Sequence, residues 1–157
     1  MIYHLQITKV DQGIQLACHA AIAASIHYSL SQLQLQYAKG GTKAPISKKK
    51  YLGRKDDQEM LDSYKAELYG ERGRQITALL KQLPLGANCN ITLPIESADE
   101  LLAMLNDRRM DLGEEFSITE EDMEERVINL KTQKARAMGE IAMLSVLQEY
   151  LISALSQ

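Results

Sequence analysis

The chain of 157 residues contains no tryptophan, one phenylalanine and only two cysteines. Each shortage excludes something. With seven tyrosines as its other aromatics, the chain must build its interior from Leu, Ile, Ala and Met. Cys18 and Cys89 stand far apart; two isolated cysteines make no disulfide framework and read as buried free thiols in a reducing cytosol. The three histidines, His4, His19 and His27, lack the i,i+4 spacing that sets two imidazoles around zinc on one helix face, so no metal is expected. Also missing are a glycine-rich phosphate loop after a strand, a serine or cysteine in a nucleophile motif, and the spacing of a calcium hand. No cofactor is expected, and the reading leans away from catalysis.

Long uninterrupted apolar runs are scarce as well. Leu16–Tyr37 has no charged side chain, but Ser, Gln and His recur through it. It reads as a buried amphipathic helix rather than a membrane span, which needs about 20 mainly apolar residues. No leader-like segment precedes the body, so the expectation is a cytoplasmic protein without a membrane partner.

What is present is an ordinary globular composition, 45% hydrophobic and 25% charged, at a length suited to a single domain over residues 1–157. The net charge of −3 conceals a segregation. Lys39–Lys55 holds seven basic residues and no acid, whereas Glu96–Arg126 holds twelve acids against three arginines. The first, with Gly, Pro and Ser and no periodicity, reads as a basic mobile loop over 39–55; the second reads as an acidic helical region.

Alternation places Tyr3, Leu5 and Ile7 on one face of a strand; Asp11-Gln12-Gly13 supplies a turn, and Ile14, Leu16 and Cys18 alternate after it. This pattern predicts an N-terminal β-hairpin. A helix over about 19–37 follows, with Ile22, Ile26, Leu30, Leu33 and Tyr37 along one stripe, stopped by Gly40-Gly41. A second helical segment begins at Asp56-Asp57 with Met60, Leu61, Tyr64 and Leu68 on one face, then Ile76, Leu79, Leu80 and Leu83. Gly70 and Gly73 either interrupt it or mark a turn, and Pro84 ends it. Cys89, Ile91 and Leu93 alternate, making 89–93 a candidate third strand beside the hairpin.

Ser97–Asp122 is the most densely signalled stretch. Ser97 with Glu100, and Thr119 with Asp122, have the spacing of capping boxes that start two helices. Leu101, Leu102, Leu105 and Leu112 recur at helical spacing, and Gly113 is the expected stop. Met123, Val127 and Ile128 continue the second of these helices, and a break over 131–134 precedes a last one carrying Met138, Ile141, Leu144, Leu147, Leu151 and Leu155. The fold class is therefore mainly α (α+β): a compact bundle of about five helices with a small antiparallel sheet. The last helix is apolar on more than one side through Ile141, Leu144, Leu147, Tyr150, Leu151 and Ile152. Such an arc is either central to the core or shared with a second copy in a homodimer.

Leu105-Asn106-Asp107-Arg108-Arg109-Met110-Asp111-Leu112-Gly113 resembles the Leu-Asn-Asp-x-Arg-x-x-Leu-Gly signature of an uncharacterised bacterial family often encoded beside the Clp-protease adaptor ClpS in actinobacteria. Phe116–Asp122, Tyr51 ahead of Asp56-Asp57, and Leu147–Leu151 are similar to further segments of that family, so the likeness spans nearly the whole chain. The chain departs from it in the lysine-rich loop and in lacking tryptophan. The resemblance implies a fold and a gene neighbourhood, and no activity.

Two surfaces are candidates for function. Asn106, Asp107 and Arg109 read either as a polar network in which Arg109 ties a neighbouring carboxylate or helix end, or as a partner-binding site. Lys48, Lys49, Lys50, Tyr51, Arg54 and Lys55 offer phosphate contacts and a stacking ring for nucleic acid, although the sequence pI of about 5.6 is acidic for that role. The leading expectation is a non-enzymatic regulatory or adaptor protein acting through an unknown protein partner and linked to Clp-type proteolysis; the alternatives are a nucleic-acid-associated protein and, third, an enzyme with an unrecognised pocket.

Overall fold

The computed structural model describes residues 5–40, 55–124 and 131–157. Strand β1 (Leu5–Val10) turns through Asp11-Gln12 into β2 (Gly13–Cys18), and the two pair antiparallel from Leu5↔Cys18 to Val10↔Gly13. Ile14, Leu16 and Cys18 are buried on one face of β2, the alternation expected of a sheet with one covered side. Helix α1 (Ala20–Ala38) starts two residues later, where His19 Nδ1 accepts a hydrogen bond from the Ala21 amide. It buries Ile26, Leu30, Leu33 and Tyr37, as their spacing predicts.

Helix α2 (Lys55–Gln82) runs through Gly70 and Gly73 without a break. Each glycine costs a helix interior about 1 kcal/mol, and the packing of Tyr69, Ile76 and Leu79 outweighs it. The helix ends ahead of Pro84, which disfavours helical geometry in the residue before it. Of the face expected on its first half, Leu61 is buried but Met60 and Tyr64 are exposed. Strand β3 (Cys89–Leu93) pairs antiparallel with β2 from Ile14↔Leu93 to Cys18↔Cys89, giving the order β1-β2-β3.

Helix α3 (Ile95–Glu115) differs from its sequence reading at both ends. It starts directly behind Pro94, with no side-chain cap, so Ser97 lies inside the first turn. Pro94 is the N-cap, with φ −54° and ψ 154°, and the Ala98 amide bonds the Pro94 carbonyl at 3.0 Å. Nor does Gly113 stop the helix. The Ile118 amide reaches back to the Gly113 carbonyl at 2.9 Å, the Ser117 amide to the Glu114 carbonyl at 3.3 Å, and Ser117 takes a φ of 51°. That is the double bond of a Schellman motif with serine in the left-handed position, sealed by Ile118 against the core. Helix α4 (Glu120–Glu124) begins with the expected capping box: the Asp122 amide donates to Thr119 Oγ1 at 3.1 Å, and the Thr119 amide to Asp122 Oδ2 at 2.9 Å. Val127 and Ile128 lie outside the described residues.

Helix α5 (Gln133–Leu155), capped by Thr132, starts earlier than its apolar residues announce. By length and composition it is the one described helix apolar enough to cross a membrane. Here its Ile141, Leu144, Leu147 and Leu151 are buried in the chain's own core, while Tyr150 and Ile152 stay exposed. Among the described residues the architecture is thus five helices and a three-stranded antiparallel sheet. Helix α3 is the hub, packed against α5, α1, α2 and the sheet, with α2 laid along α1.

Candidate functional site

Three consecutive side chains of α3 diverge to three neighbours. Asp107 Oδ2 accepts from the Tyr37 hydroxyl at 2.6 Å and from Arg72 Nη1 at 2.5 Å, joining α3 to α1 and α2. The Tyr37 ring stacks on Tyr69 with centroids 5.3 Å apart. Burial, reinforced by the Asp107 carboxylate, pushes the Tyr37 phenol far above its ordinary range. Burial works against the Arg72 charge, but Asp107, Tyr37 and Glu100 together outweigh it and the guanidinium is held more firmly protonated. Arg108 turns the other way, donating from Nε to Glu140 Oε2 at 2.6 Å and from Nη2 to Oε1 at 3.1 Å, while Ser29 Oγ donates to Oε2 at 2.8 Å. Arg109 Nη1 donates to Gln148 Oε1 at 2.6 Å, and Gln148 Nε2 to the Leu102 carbonyl at 3.4 Å. Asn106 is exposed.

The segment singled out in the sequence is therefore a set of ties. The carboxylate partner belongs to Arg108, and Arg109 bonds an amide. Sequence reasoning passed over Arg108, Glu140 and Ser29, yet a signal existed. Arg108 continues the Leu101–Leu105–Leu112 stripe at helical spacing, Ser29 sits between Ile26 and Leu33, and Glu140 precedes Ile141. A polar residue on an apolar stripe requires a partner, because unpaired burial is costly.

The Arg108–Glu140 pair lies in a trough of about 850 Å³. One wall is α1, with Ala24, Tyr28, Gln32 and Gln36 in a row; the other is α5, with Gln133, Arg136, Ala137, Glu140 and Met143. The α3 residues Arg108 and Leu112 complete it, with Glu115 and Phe116 at the end of α3. Tyr28 is 55% exposed at the rim. Arginine and carboxylate satisfy each other, so the trough offers paired charge, amides and scattered apolar surface.

Lys48, Lys49, Lys50, Tyr51 and Arg54 lie outside the described residues, as does His4; Lys55 opens α2, and Lys39 is exposed at the end of α1. His19 caps α1, and His27 Nδ1 lies 3.3 Å from Ser31 Oγ. Among the described residues no group of three or more His, Cys, Asp or Glu side chains is placed to hold a metal ion.

Fold and site together define a mainly helical α+β protein with an open interhelical trough. A family model described as a domain of unknown function (DUF2017) matches residues 53–155, well over half of the chain, and the protein belongs to that family. No curated protein and no solved structure matches it.

Proposed function

We propose that the protein is a non-enzymatic regulatory or adaptor protein that grips a helical segment of a partner protein in the trough between α1 and α5. The observation behind this reading is the lining: two helices form facing walls with apolar and amide side chains between them, and a groove of that form receives an amphipathic helix. From Ala24 to Gln36 the α1 wall runs roughly 18 Å, the length of about three helical turns. Tyr28, Met143 and Phe116 supply apolar contact, and Gln32, Gln36 and Gln133 supply hydrogen bonds. The Ser29–Glu140 hydrogen bond ties one wall to the other, and Arg108 fixes Glu140 to α3. Asn106 is exposed on α3 but does not line the trough, and Asp107 and Arg109 act through the position of the helix. A link to Clp-type proteolysis is the finer form of the proposal, checked by whether the protein alters degradation by a Clp protease.

A photo-crosslinking residue in place of Tyr28, irradiated in native lysate, tests the reading. The expected result is a covalent adduct of discrete mass, removed by protease and untouched by nuclease. The proposal fails if the yield equals that from a crosslinker at the exposed Glu71 of α2. A nuclease-sensitive adduct would favour the second reading, nucleic-acid association through Lys39–Lys55, whose affinity must then fall steeply as salt rises. Self-association through the exposed Tyr150 and Ile152 is checked by light scattering at rising concentration.

A further inference from the structure

Cys18 and Cys89 are directly opposed in the β2–β3 register, the last pair of that ladder. Both are free thiols and buried, at 5% and 2% exposure. Opposed residues of an antiparallel pair have Cα atoms about 4.5–5.5 Å apart, inside the range of about 4.4–6.8 Å that a disulfide bridges. The closed bond therefore fits the paired strands with little change beyond rotation of the two side chains. We propose that Cys18 and Cys89 form a dithiol–disulfide pair, closed by a peroxide, that locks the N-terminal hairpin to the helical body of the chain.

The chemistry balances with hydrogen peroxide as oxidant. One thiolate attacks a peroxide oxygen, giving a sulfenic acid and releasing water after proton transfer. The second thiolate displaces the sulfenic oxygen as a second water, forming the S–S bond; the two sulfurs supply the two electrons that reduce the peroxide. In the closed sheet this is slow, because burial and the neighbouring thiol push Cys18 up to about 11, and burial raises Cys89 too. The reaction runs through opening of the ladder end. There Asn88 Oδ1 accepts from the Ala20 amide at 3.0 Å, pinning the approach to β3 onto the start of α1. That hydrogen bond is a gate on access to the thiols.

Once closed, the bond restrains a loop of about 70 residues, and the melting temperature should rise by roughly 5–15 °C. The test treats the full chain with hydrogen peroxide and follows intact mass, peptide maps and thermal unfolding. Expected are a loss of 2 Da, a single linked peptide pair containing Cys18 and Cys89, a higher melting temperature, and reversal of all three by dithiothreitol. Asn88→Ala should speed closure about five-fold, the weight of one hydrogen bond, and Cys18→Ala should abolish the 2 Da loss. Sulfinic or sulfonic acids without a link, disulfide-linked dimers, or a linked species melting no higher than the reduced protein would each overturn the proposal. The wild-type peptide map decides the matter alone should Cys18→Ala fold poorly.

Discussion

A Cβ added to Gly13 would lie 2.0 Å from the Leu93 carbonyl oxygen, and the residue's φ of +142° disfavours any L side chain. Both faults strike the backbone where β2 leaves the turn beside β3, so no rotamer change relieves them. Gly13→Ala should cost about 2–4 kcal/mol, read as a lower urea midpoint at unchanged slope. The end of α3 gives the opposite sign. Ser117 holds a left-handed conformation, whereas Gly113 lies in the helix interior with open space around its Cβ position. Ser117→Gly should stabilise by about 0.5–1 kcal/mol, and Gly113→Ala by a similar amount. If Gly113 were the left-handed cap that its place in the sequence suggests, the alanine variant would destabilise instead, so thermal unfolding of the two variants separates the readings.

Between elements, the deciding interactions join residues far apart in the chain. Ser29 and Glu140 are separated by 111 positions, Tyr37 and Asp107 by 70, Arg109 and Gln148 by 39. No local pattern records such pairings, so although the apolar stripes mark Arg108 and Ser29 as needing partners, the trough and the choice of Glu140 were not legible, while the hairpin, α1, the third strand and the Thr119 cap were. Those four rest on alternation, helical stripes and i,i+3 capping, signals contained within a few residues. The start of α3 was misread because Ser97 and Pro94 are both local start signals, and the exit of β3 at Leu93 decides between them. Arg108 and Glu140 have side-chain exposures of only 8% and 13%, so removing one partner strands a buried charge. Arg108→Ala or Glu140→Ala should each cost about 3–5 kcal/mol, while Arg108→Met and Glu140→Leu combined with Ser29→Ala, which leave no member of the network unpaired, should be near neutral. A double-mutant cycle by chemical unfolding measures the coupling. At α4 the relevant variable is pH. The Thr119 amide, helped by Lys134, holds the Asp122 carboxyl below its ordinary 3.8. A lowered carboxyl contributes stability above its unfolded value and loses it as pH falls through the folded one. The Thr119 amide resonance should therefore titrate with a midpoint below 3.8, and an unshifted midpoint would remove the reciprocal cap.

Across the whole molecule, the family match covers only part of the hydrophobic core. The match begins at residue 53, leaving β1, β2 and α1 outside it, yet Ile14, Leu16, Ile26, Leu30 and Leu33 from those elements are 0–1% exposed in the same core as Leu101, Leu105 and Leu144. Helix α3 packs against β2 and α1 as well as α5, and α2 lies along α1. Without residues 1–52, β3 loses the strand that pairs its backbone, and a lone strand has no independent stability. Asp107 would lose the Tyr37 hydroxyl and Glu140 the Ser29 hydroxyl, and the trough would lose its α1 wall. The fragment 53–155 should accordingly keep helical circular dichroism from α2, α3 and α5 but bind a hydrophobic dye and melt without a cooperative transition. Adding the 1–52 peptide in trans should restore cooperativity, since the missing surface is a complementary face of the same core. A fragment that melts cooperatively by itself would place the folding unit within the matched residues and make the hairpin and α1 an appended layer.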